Sequence, residues 1–271
     1  MAAFRRAISS LDDYYRVLEA PSPVTDMPLK PHLFPHRTSY KSLDNGAPRT
    51  FQYEKEVAEK KLIFFGMEDE TRARICIKFV KMYSRTAHEH MASLGHAPAL
   101  RGHERIPGDW IMVVFDALTD FETLADRKGP LPLAVLDDIA QTLSTFHRAN
   151  FVHGDIRDVN IMASKTGNKQ FMIVDFDWAG KVGEALYPAC VNTERIVRPE
   201  KELDGKPILP MHDMFMLEEL KRDNEKKNVV PKYMRSASTV YLYVRPDHRA
   251  DWDHDQRSRT PSLQSQDLWS C

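Results

Sequence analysis

Polar residues with oxygen ligands stand at both ends of one short segment in the second half of this 271-residue sequence. Asp155 and Asn160 precede the apolar stretch 161–163, and Asp175 follows the apolar stretch 171–174. Two such stretches around a turn that contains Gly and Asn are typical of a β-hairpin. Because a hairpin brings its two ends together, we expect the three polar side chains to converge. The pattern therefore predicts two oxygen ligands for a metal beside a third carboxylate.

This combination of groups suits phosphoryl transfer. ATP brings several negative charges that Mg²⁺ can neutralise, while a separate carboxylate orients the attacking hydroxyl. Position suggests the roles: Asp155 as the base or hydroxyl-positioning group, and Asn160 and Asp175 as the magnesium ligands. Arg157 supplies a cation that could meet the transferring phosphoryl group. For Asp177, a second contact to the metal and a position facing solvent both remain open.

The elements that must hold this segment can be predicted from the apolar pattern. The stretches 62–65 and 75–80 predict two strands joined as a hairpin, and two further strands flank the turn at 106–109. Between these pairs, the polar range 85–94 predicts a helix that faces solvent. After Pro132, apolar residues recur at helical spacing, which predicts an amphipathic helix before the hairpin.

The two ends of the sequence lack such patterns. The range 20–49 is rich in Pro, Ser, His and Thr and shows no sustained periodicity, which indicates an irregular segment. Beyond Leu220, a charged run leads into a polar tail, for which we expect disorder. The predicted organisation is an irregular extension over 1–50, two lobes over 51–118 and 119–225, and a disordered tail over 226–271.

The segments 153–161 (HGDIRDVNI) and 174–180 (VDFDWAG) resemble the catalytic and metal-binding motifs of the protein-kinase-like superfamily, H-R-D-x-x-x-x-N and D-F-G. The sequences of these two segments are most similar to fungal-type protein kinase domains and more distantly similar to aminoglycoside and choline kinases. The resemblance implies an α+β fold of two lobes, with a small antiparallel sheet in the N-lobe and a helical C-lobe that we expect to be shortened. It also implies ATP and Mg²⁺ as cofactors.

The resemblance extends to residues that would bind the nucleotide. The stretch ending at Lys78 (ICIK) resembles the V-A-I-K strand and assigns Lys78 to the α- and β-phosphates, with Lys81 as the rival at the strand's end. The stretch FDAL resembles the hinge, where backbone groups of Asp116 and Leu118 would meet adenine.

Two further roles follow from the same resemblance. The helix residue that would pair with the strand lysine is either Glu89, the better chemical partner, or His88, which has the better register. Asp213 resembles the aspartate that supports the backbone of the catalytic loop, and His153 is expected to brace that loop through hydrogen bonds to the backbone. Neither of these last two residues is expected to act in the chemistry.

The sequence departs from the family pattern in the nucleotide flap and in the catalytic loop. No G-x-G-x-x-G precedes Lys78, and Gly66 is the only glycine between Gly46 and that lysine. Gly154 replaces the arginine that ordinarily pairs with a phosphorylated activation loop, and no A-P-E follows Asp175, so we expect no control by phosphorylation there. A missing glycine-rich turn lowers the expected affinity for phosphate.

The composition limits the classes of partner and the location that we expect for this protein. Lys and Arg total 38 against 39 Asp and Glu, so charge gives no reason to expect nucleic acid or an anionic membrane. Three cysteines are too few for a disulfide framework, and no apolar run approaches the roughly 20 residues of a membrane span. We therefore expect an intracellular protein.

Three functions agree with these patterns. The first is a phosphotransferase acting on protein Ser or Thr, because an Arg or Lys two residues after the catalytic Asp is typical of Ser/Thr kinases, and Arg157 has that position. The second is a small-molecule kinase, which tolerates loss of the glycine loop. The third is a pseudokinase or truncated kinase fragment that serves as a binding module, which the missing loop favours.

Overall fold

The computed structural model describes residues 34–58, 61–166 and 170–228. The described elements are β1 (Ser39–Lys41), β2 (Pro48–Ala58), β3 (Lys61–Glu68), β4 (Arg74–Val80), α1 (Arg85–Ser93), β5 (Leu100–Ile106), β6 (Trp110–Asp116), β7 (Phe121–Thr123), α2 (Leu133–Arg148), β8 (Phe151–Val152), β9 (Ile161–Ser164), β10 (Phe171–Ile173), β11 (Gly180–Lys181) and α3 (Pro210–Asn228). Within these three ranges, no helix is long and apolar enough to cross a membrane.

The described residues divide into two compact units. The first contains those up to Val80 together with Arg101–Ala117, and the second contains Lys81–Leu100 together with those from Leu118 onward. The first unit is a six-stranded sheet in the order β1-β2-β3-β4-β6-β5. Strand β4 lies inside this sheet, pairing antiparallel with β3 on one side and with β6 on the other.

The sheet unit has its own apolar core. Alternating residues of the strands pack aromatic and aliphatic side chains into one cluster, because successive side chains of a strand point to opposite faces. The buried members are Tyr40, Phe51, Phe64, Ile75, Ile77, Phe79, Ile106, Met112 and Val114. Gly66 belongs to this packing, because a Cβ there would lie 2.8 Å from the Gln52 carbonyl oxygen and 2.8 Å from Ile77 Cδ1. Gly66 is therefore a close-packing glycine within a strand.

The second unit combines the three helices with short strands. Its core contains the predicted apolar stripe of α2, where Leu136, Ile139, Leu143 and Phe146 are all buried. Strands β10, β9 and β7 form a three-stranded sheet, and β8 pairs antiparallel with β11. The predicted hairpin strands are thus present as β9 and β10, with Ile173 opposite Ile161. Part of their connecting turn lies outside the described residues.

The predicted α+β class is confirmed, since an antiparallel sheet unit is followed by a unit built on helices. The strands predicted around 62–65, 75–80 and the turn at 106–109 are all present. The helix at 85–94 is also present, but it does not simply face solvent, because Ala87 and Met91 are fully buried in the core of the second unit. This packing places residues 81–100, which we predicted in the first lobe, with the second unit.

The two ends differ from the prediction. Residues 39–41 form β1 and residues 48–50 begin β2, so the range 1–50 is not irregular throughout. Helix α3 continues through the charged run after Leu220 to Asn228, and so extends three residues into the range 226–271, for which disorder was expected. Asn224 explains this continuation, because its side chain is buried and both accepts from the backbone N–H of Leu131 and donates to the carbonyl of Leu131. Residues 229–271 lie outside the described residues.

Candidate active site

The segment 153–160 lies between β8 and β9, and its last residue meets the chain just after β10, as the hairpin argument predicts. The backbone N–H of Val174 donates to the carbonyl oxygen of Asn160 at 2.9 Å. The Nε2 atom of His153 lies 3.2 Å from the carbonyl oxygen of Val174. The residue immediately before Asp175 is therefore hydrogen-bonded to both arms of the segment, and His153 braces the loop as expected.

Asp213, in the first turn of α3, supports this segment from below. Its fully buried carboxylate accepts the backbone N–H of His153 at 2.8 Å and that of Gly154 at 2.7 Å. The Nε2 atom of His147 lies 3.0 Å from the same carboxylate. Buried N–H groups in an irregular segment need an acceptor that neither a helix nor a sheet supplies. The structural role predicted for Asp213 is thereby confirmed.

Gly154 is explained by its backbone and its neighbours. Its φ is +83°, in the left-handed region that side chains disfavour. A Cβ at this position would lie 2.7 Å from Ile208 Cδ1 and 3.3 Å from Trp178 Cβ. A glycine therefore stands where the family motif has arginine because this packing leaves no room for a side chain.

Asp155 is 6% exposed, and its two carboxylate oxygens have different surroundings. Oδ2 accepts hydrogen bonds from Arg157 Nη2 and from Asn160 Nδ2, each at 2.7 Å. Oδ1 lies 2.8 Å from Arg198 Nη2, an ion pair in which no N–H is aligned well enough to count as a hydrogen bond. One oxygen is therefore fully engaged, and the other keeps capacity to accept a hydroxyl proton.

Asn160 and Asp175 have features that fit a magnesium site. The buried Asn160 directs its Nδ2 to the carbonyl and the carboxylate of Asp155, which leaves its Oδ1 as the atom able to contact a cation. Asp175 has a φ of +70°, a conformation that costs a non-glycine residue free energy and recurs at functional sites. Amide and carboxylate oxygens, completed by phosphate and water, are what Mg²⁺ prefers.

In the part of the chain that the structure describes, no group of three or more His, Cys, Asp or Glu side chains could hold a metal.

The lysine predicted to bind phosphate and the first predicted hinge residue, Asp116, belong to the sheet unit. Lys78 lies on β4, opposite Ile63 and Val113, and is 6% exposed, whereas Lys81 follows the strand and is exposed. Asp116 ends β6, and its carboxylate accepts from Arg101 Nε at 2.6 Å. The Asp116 carboxylate is thus paired within the sheet unit, and its predicted contribution through backbone groups stays a prediction.

Leu118 begins the second unit, and its carbonyl oxygen accepts a long hydrogen bond, 3.4 Å, from the backbone N–H of Phe121. Its predicted contact with adenine stays a prediction.

His88 and Glu89 face in different directions on α1. The ring of His88 is buried and stacks on Phe176 with centroids 4.7 Å apart and planes within 6°. Its nitrogens lie 2.6 Å from the Tyr83 hydroxyl and 2.7 Å from the Pro98 carbonyl. The side chain of Glu89 is 41% exposed and pairs with Arg85 at 2.8 Å. His88 is thus part of the packing around Phe176, and the partner of Lys78 stays open.

Arg198 is the residue of this site that sequence reasoning missed. It lies between β11 and α3, where no motif draws attention to it, and its side chain is 1% exposed. Besides its ion pair with Asp155, the guanidinium carbon lies 5.1 Å from the ring centroid of Trp178. No local pattern could have indicated it, because its contacts form only in the folded chain.

Within the second unit, a cavity of about 490 Å³ lies beside the segment 153–160. Arg157 and Asp158 line one part of it, the range 195–197 another, and residues of α3 a third. Its size is typical of sites that take a small molecule or a few side chains.

The chain has limited sequence similarity to curated kinases. No family model matches the chain. The serine/threonine-protein kinase AfsK of Streptomyces griseus is 24% identical over 115 residues, which cover 40% of this chain and 14% of that protein. AfsK of Streptomyces coelicolor is 23% identical over 115 residues, with the same coverage of 40% and 14%. The chain thus spans about a seventh of the length of these curated relatives.

Among solved structures, the kinase PK-1 of Cydia pomonella granulovirus has a TM-score of 0.49 and 17% sequence identity, covering 68% of this chain and 77% of that one. The sequence similarity to AfsK supports a kinase-like function at the general level.

Proposed function

We propose that this chain is a phosphotransferase of the protein-kinase-like superfamily that uses ATP and Mg²⁺ and phosphorylates a hydroxyl, in the first place that of a protein Ser or Thr. The observation that carries the proposal is the hydrogen-bonded cluster of Asp155, Asn160 and the backbone just before Asp175. Asp213 holds the same segment through two backbone N–H groups. The fungal-type relationship and the intracellular location predicted from the sequence are part of this proposal.

In this mechanism, the residues of the second unit have separate roles. Oδ1 of Asp155 accepts the hydrogen bond of the acceptor hydroxyl, orients its oxygen and takes its proton, while Asn160 and Arg157 hold Oδ2. Asn160 Oδ1 and the Asp175 carboxylate would hold Mg²⁺, which when bound neutralises charge on the phosphates. Positive charge from Arg157 stabilises the charge that develops on the transferring group.

Nucleotide binding is assigned to the predicted residues of the sheet and hinge. Lys78 would meet the α- and β-phosphates, with Glu89 or His88 as its predicted partner, and the backbone of Asp116 and Leu118 would meet adenine. Gly66 is the only glycine between Gly46 and Lys78, and it serves strand packing, so that stretch offers no glycine for a phosphate-cradling turn. The metal should therefore carry a larger share of the affinity for ATP than in kinases that have a glycine-rich loop.

For the acceptor, the position of Arg157 supports a protein Ser or Thr, and the cavity beside it has room for a side chain with its neighbours. A small alcohol would also fit this volume, which keeps a metabolite kinase as the second enzymatic reading. Neither reading calls for nucleic acid or a membrane as partner.

Calorimetry of ATP binding with and without Mg²⁺ tests the proposal. Asp175→Ala should abolish the magnesium-dependent part of the affinity, because the bridge between protein and phosphates loses its carboxylate. Asp138→Ala, an exposed change on α2, is the matched control and should bind as the wild type does. Equal magnesium-dependent affinity in wild type and Asp175→Ala would contradict the metal assignment.

A binding module without catalysis is the alternative from another class. Two observations favour it: the sequence lacks a glycine-rich flap, and the Asp155 carboxylate is buried beneath two guanidinium groups, from Arg157 and Arg198. A chain that binds magnesium and ATP but transfers no phosphate to any acceptor, water included, would support this alternative.

A further inference from the structure

The burial of the Arg198 cation is not explained by a contribution to the stability of the fold. Its side chain is 1% exposed, and within the ranges that the structure describes its Nε and Nη1 atoms have no hydrogen-bond partner. Its recorded interactions are the ion pair with Asp155 and the contact with the face of Trp178. Burying a charge with so few partners is costly, and an apolar residue of similar size often serves stability as well. The cost indicates that Arg198 serves the carboxylate it contacts.

The carboxylate of Asp155 is held differently at its two oxygens. Arg157 and Asn160 share Oδ2, whereas Arg198 lies at Oδ1, the oxygen left to meet a hydroxyl. Two guanidinium groups and one carboxylate give this point a local charge of plus one. In a buried setting, such a positive charge attracts a phosphoryl group.

We propose that Arg198 is a positioning residue for phosphoryl transfer, an inference that rests on the proposed function. Its guanidinium, fixed by burial and by Trp178, holds Oδ1 of Asp155 in the orientation that the acceptor needs. As the acceptor oxygen bonds to the γ-phosphorus, the bond from that phosphorus to the bridging oxygen breaks, ADP leaves, and the hydroxyl proton passes to Asp155. Arg198 acts on this step through Asp155, not through ATP.

Two substitutions and a control test the kinetic part. Arg198→Met should lower kcat about 100-fold, a loss of the size seen when one preorganised electrostatic group is removed, while the KM for ATP stays within about twofold. Arg198→Lys should recover part of the rate, since it restores the charge but not the planar donor fork. Arg148→Met makes the same change at an exposed arginine of α2 that bonds Thr145, and its kcat should equal that of wild type.

Calorimetric stoichiometry of magnesium–ATP binding separates positioning from loss of folded protein. It should stay at one nucleotide per chain in Arg198→Met, so that the fall in kcat belongs to folded sites. A kcat within twofold of wild type, or a lysine variant no faster than the methionine variant, would overturn the inference while leaving the proposed function standing.

A thermal double-mutant cycle without ATP keeps the inference testable if the chain proves inactive. The change in Tm caused by Arg198→Met should differ by at least about 3 °C between the Asp155 and Asp155→Asn backgrounds, because removing one partner of a buried ion pair leaves the other without its counter-charge. Equal shifts in the two backgrounds would overturn the coupling of Arg198 to Asp155. A wild type that transfers no phosphate would overturn the proposed function. The catalytic role inferred for Arg198 would then fall as well, even if Arg198 and Asp155 remained coupled in Tm.

Discussion

Replacing Asp213 with asparagine should destabilise the chain strongly, although the two side chains have nearly the same shape. Asp213 Oδ2 accepts from His153 N and His147 Nε2, and Oδ1 accepts from Gly154 N. An asparagine that keeps its oxygen toward His153 turns its NH₂ group toward the Gly154 N–H, and two donors then face each other. A hydrogen bond to a charged group contributes about 1.5–3 kcal/mol, and a buried unsatisfied group costs about 1–3 kcal/mol. The expected loss is about 3–5 kcal/mol.

Urea unfolding followed by circular dichroism measures this loss. The midpoint should fall with little change in the slope, since the surface exposed on unfolding is unchanged. Asp137→Asn, at an exposed position of α2, makes the same chemical change and should lie within about 0.5 kcal/mol of wild type. A loss below about 1 kcal/mol in Asp213→Asn would refute the reasoning, because the two backbone N–H groups would then have another acceptor.

Two further predictions concern the same unit. Gly154→Ala should cost about 2–4 kcal/mol, from the left-handed backbone and the clash with Ile208, whereas Gly183→Ala, with a φ of +86° and open space around it, should cost only about 1–2 kcal/mol in urea unfolding; equal losses would remove the steric part of the explanation. Burial lowers the pKa of His212 from its ordinary 6.5, so the unfolded chain binds a proton there more readily and Tm should fall as pH drops below about 6.5. His212→Asn, which keeps an acceptor near the position of Nδ1 but does not titrate, should flatten that fall; an unchanged pH profile of Tm would show that other groups dominate.

The part of the site that could be predicted is the part carried by neighbours in sequence. Asp155, Asn160 and Asp175 flank two short strands, and strand pairing alone brings their ends together. Strand β2 also carries a sequence signal, since the apolar Phe51 and Tyr53 alternate with polar residues as in a half-buried strand.

The remaining errors come from contacts between distant parts of the chain. The charged end of α3 has no apolar periodicity, and it is anchored by Asn224 on the backbone of Leu131. Likewise, α1 looks polar by composition, yet Ala87 and Met91 are buried because the second unit packs on that face. Arg198 reaches Asp155 only through the fold. Such interactions depend on three-dimensional proximity, so local pattern and propensity give no access to them.

The most direct test of the central claim is transfer of labelled γ-phosphate from magnesium–ATP to a mixed panel of proteins and small alcohols, with wild type and Asp155→Asn compared side by side. Asp155→Asn keeps the shape of the side chain and leaves Asn160 and Asp175 in place, so ATP should bind with little change. The carboxylate that orients the hydroxyl and takes its proton is lost, which should slow transfer by about 10²–10⁴. Asp138→Asn, exposed on α2, should transfer as wild type does. A wild type that transfers phosphate and an Asp155→Asn variant that is at least 100-fold slower but still binds ATP is the predicted result; a variant as fast as wild type, or a wild type that binds ATP and transfers nothing, would contradict it.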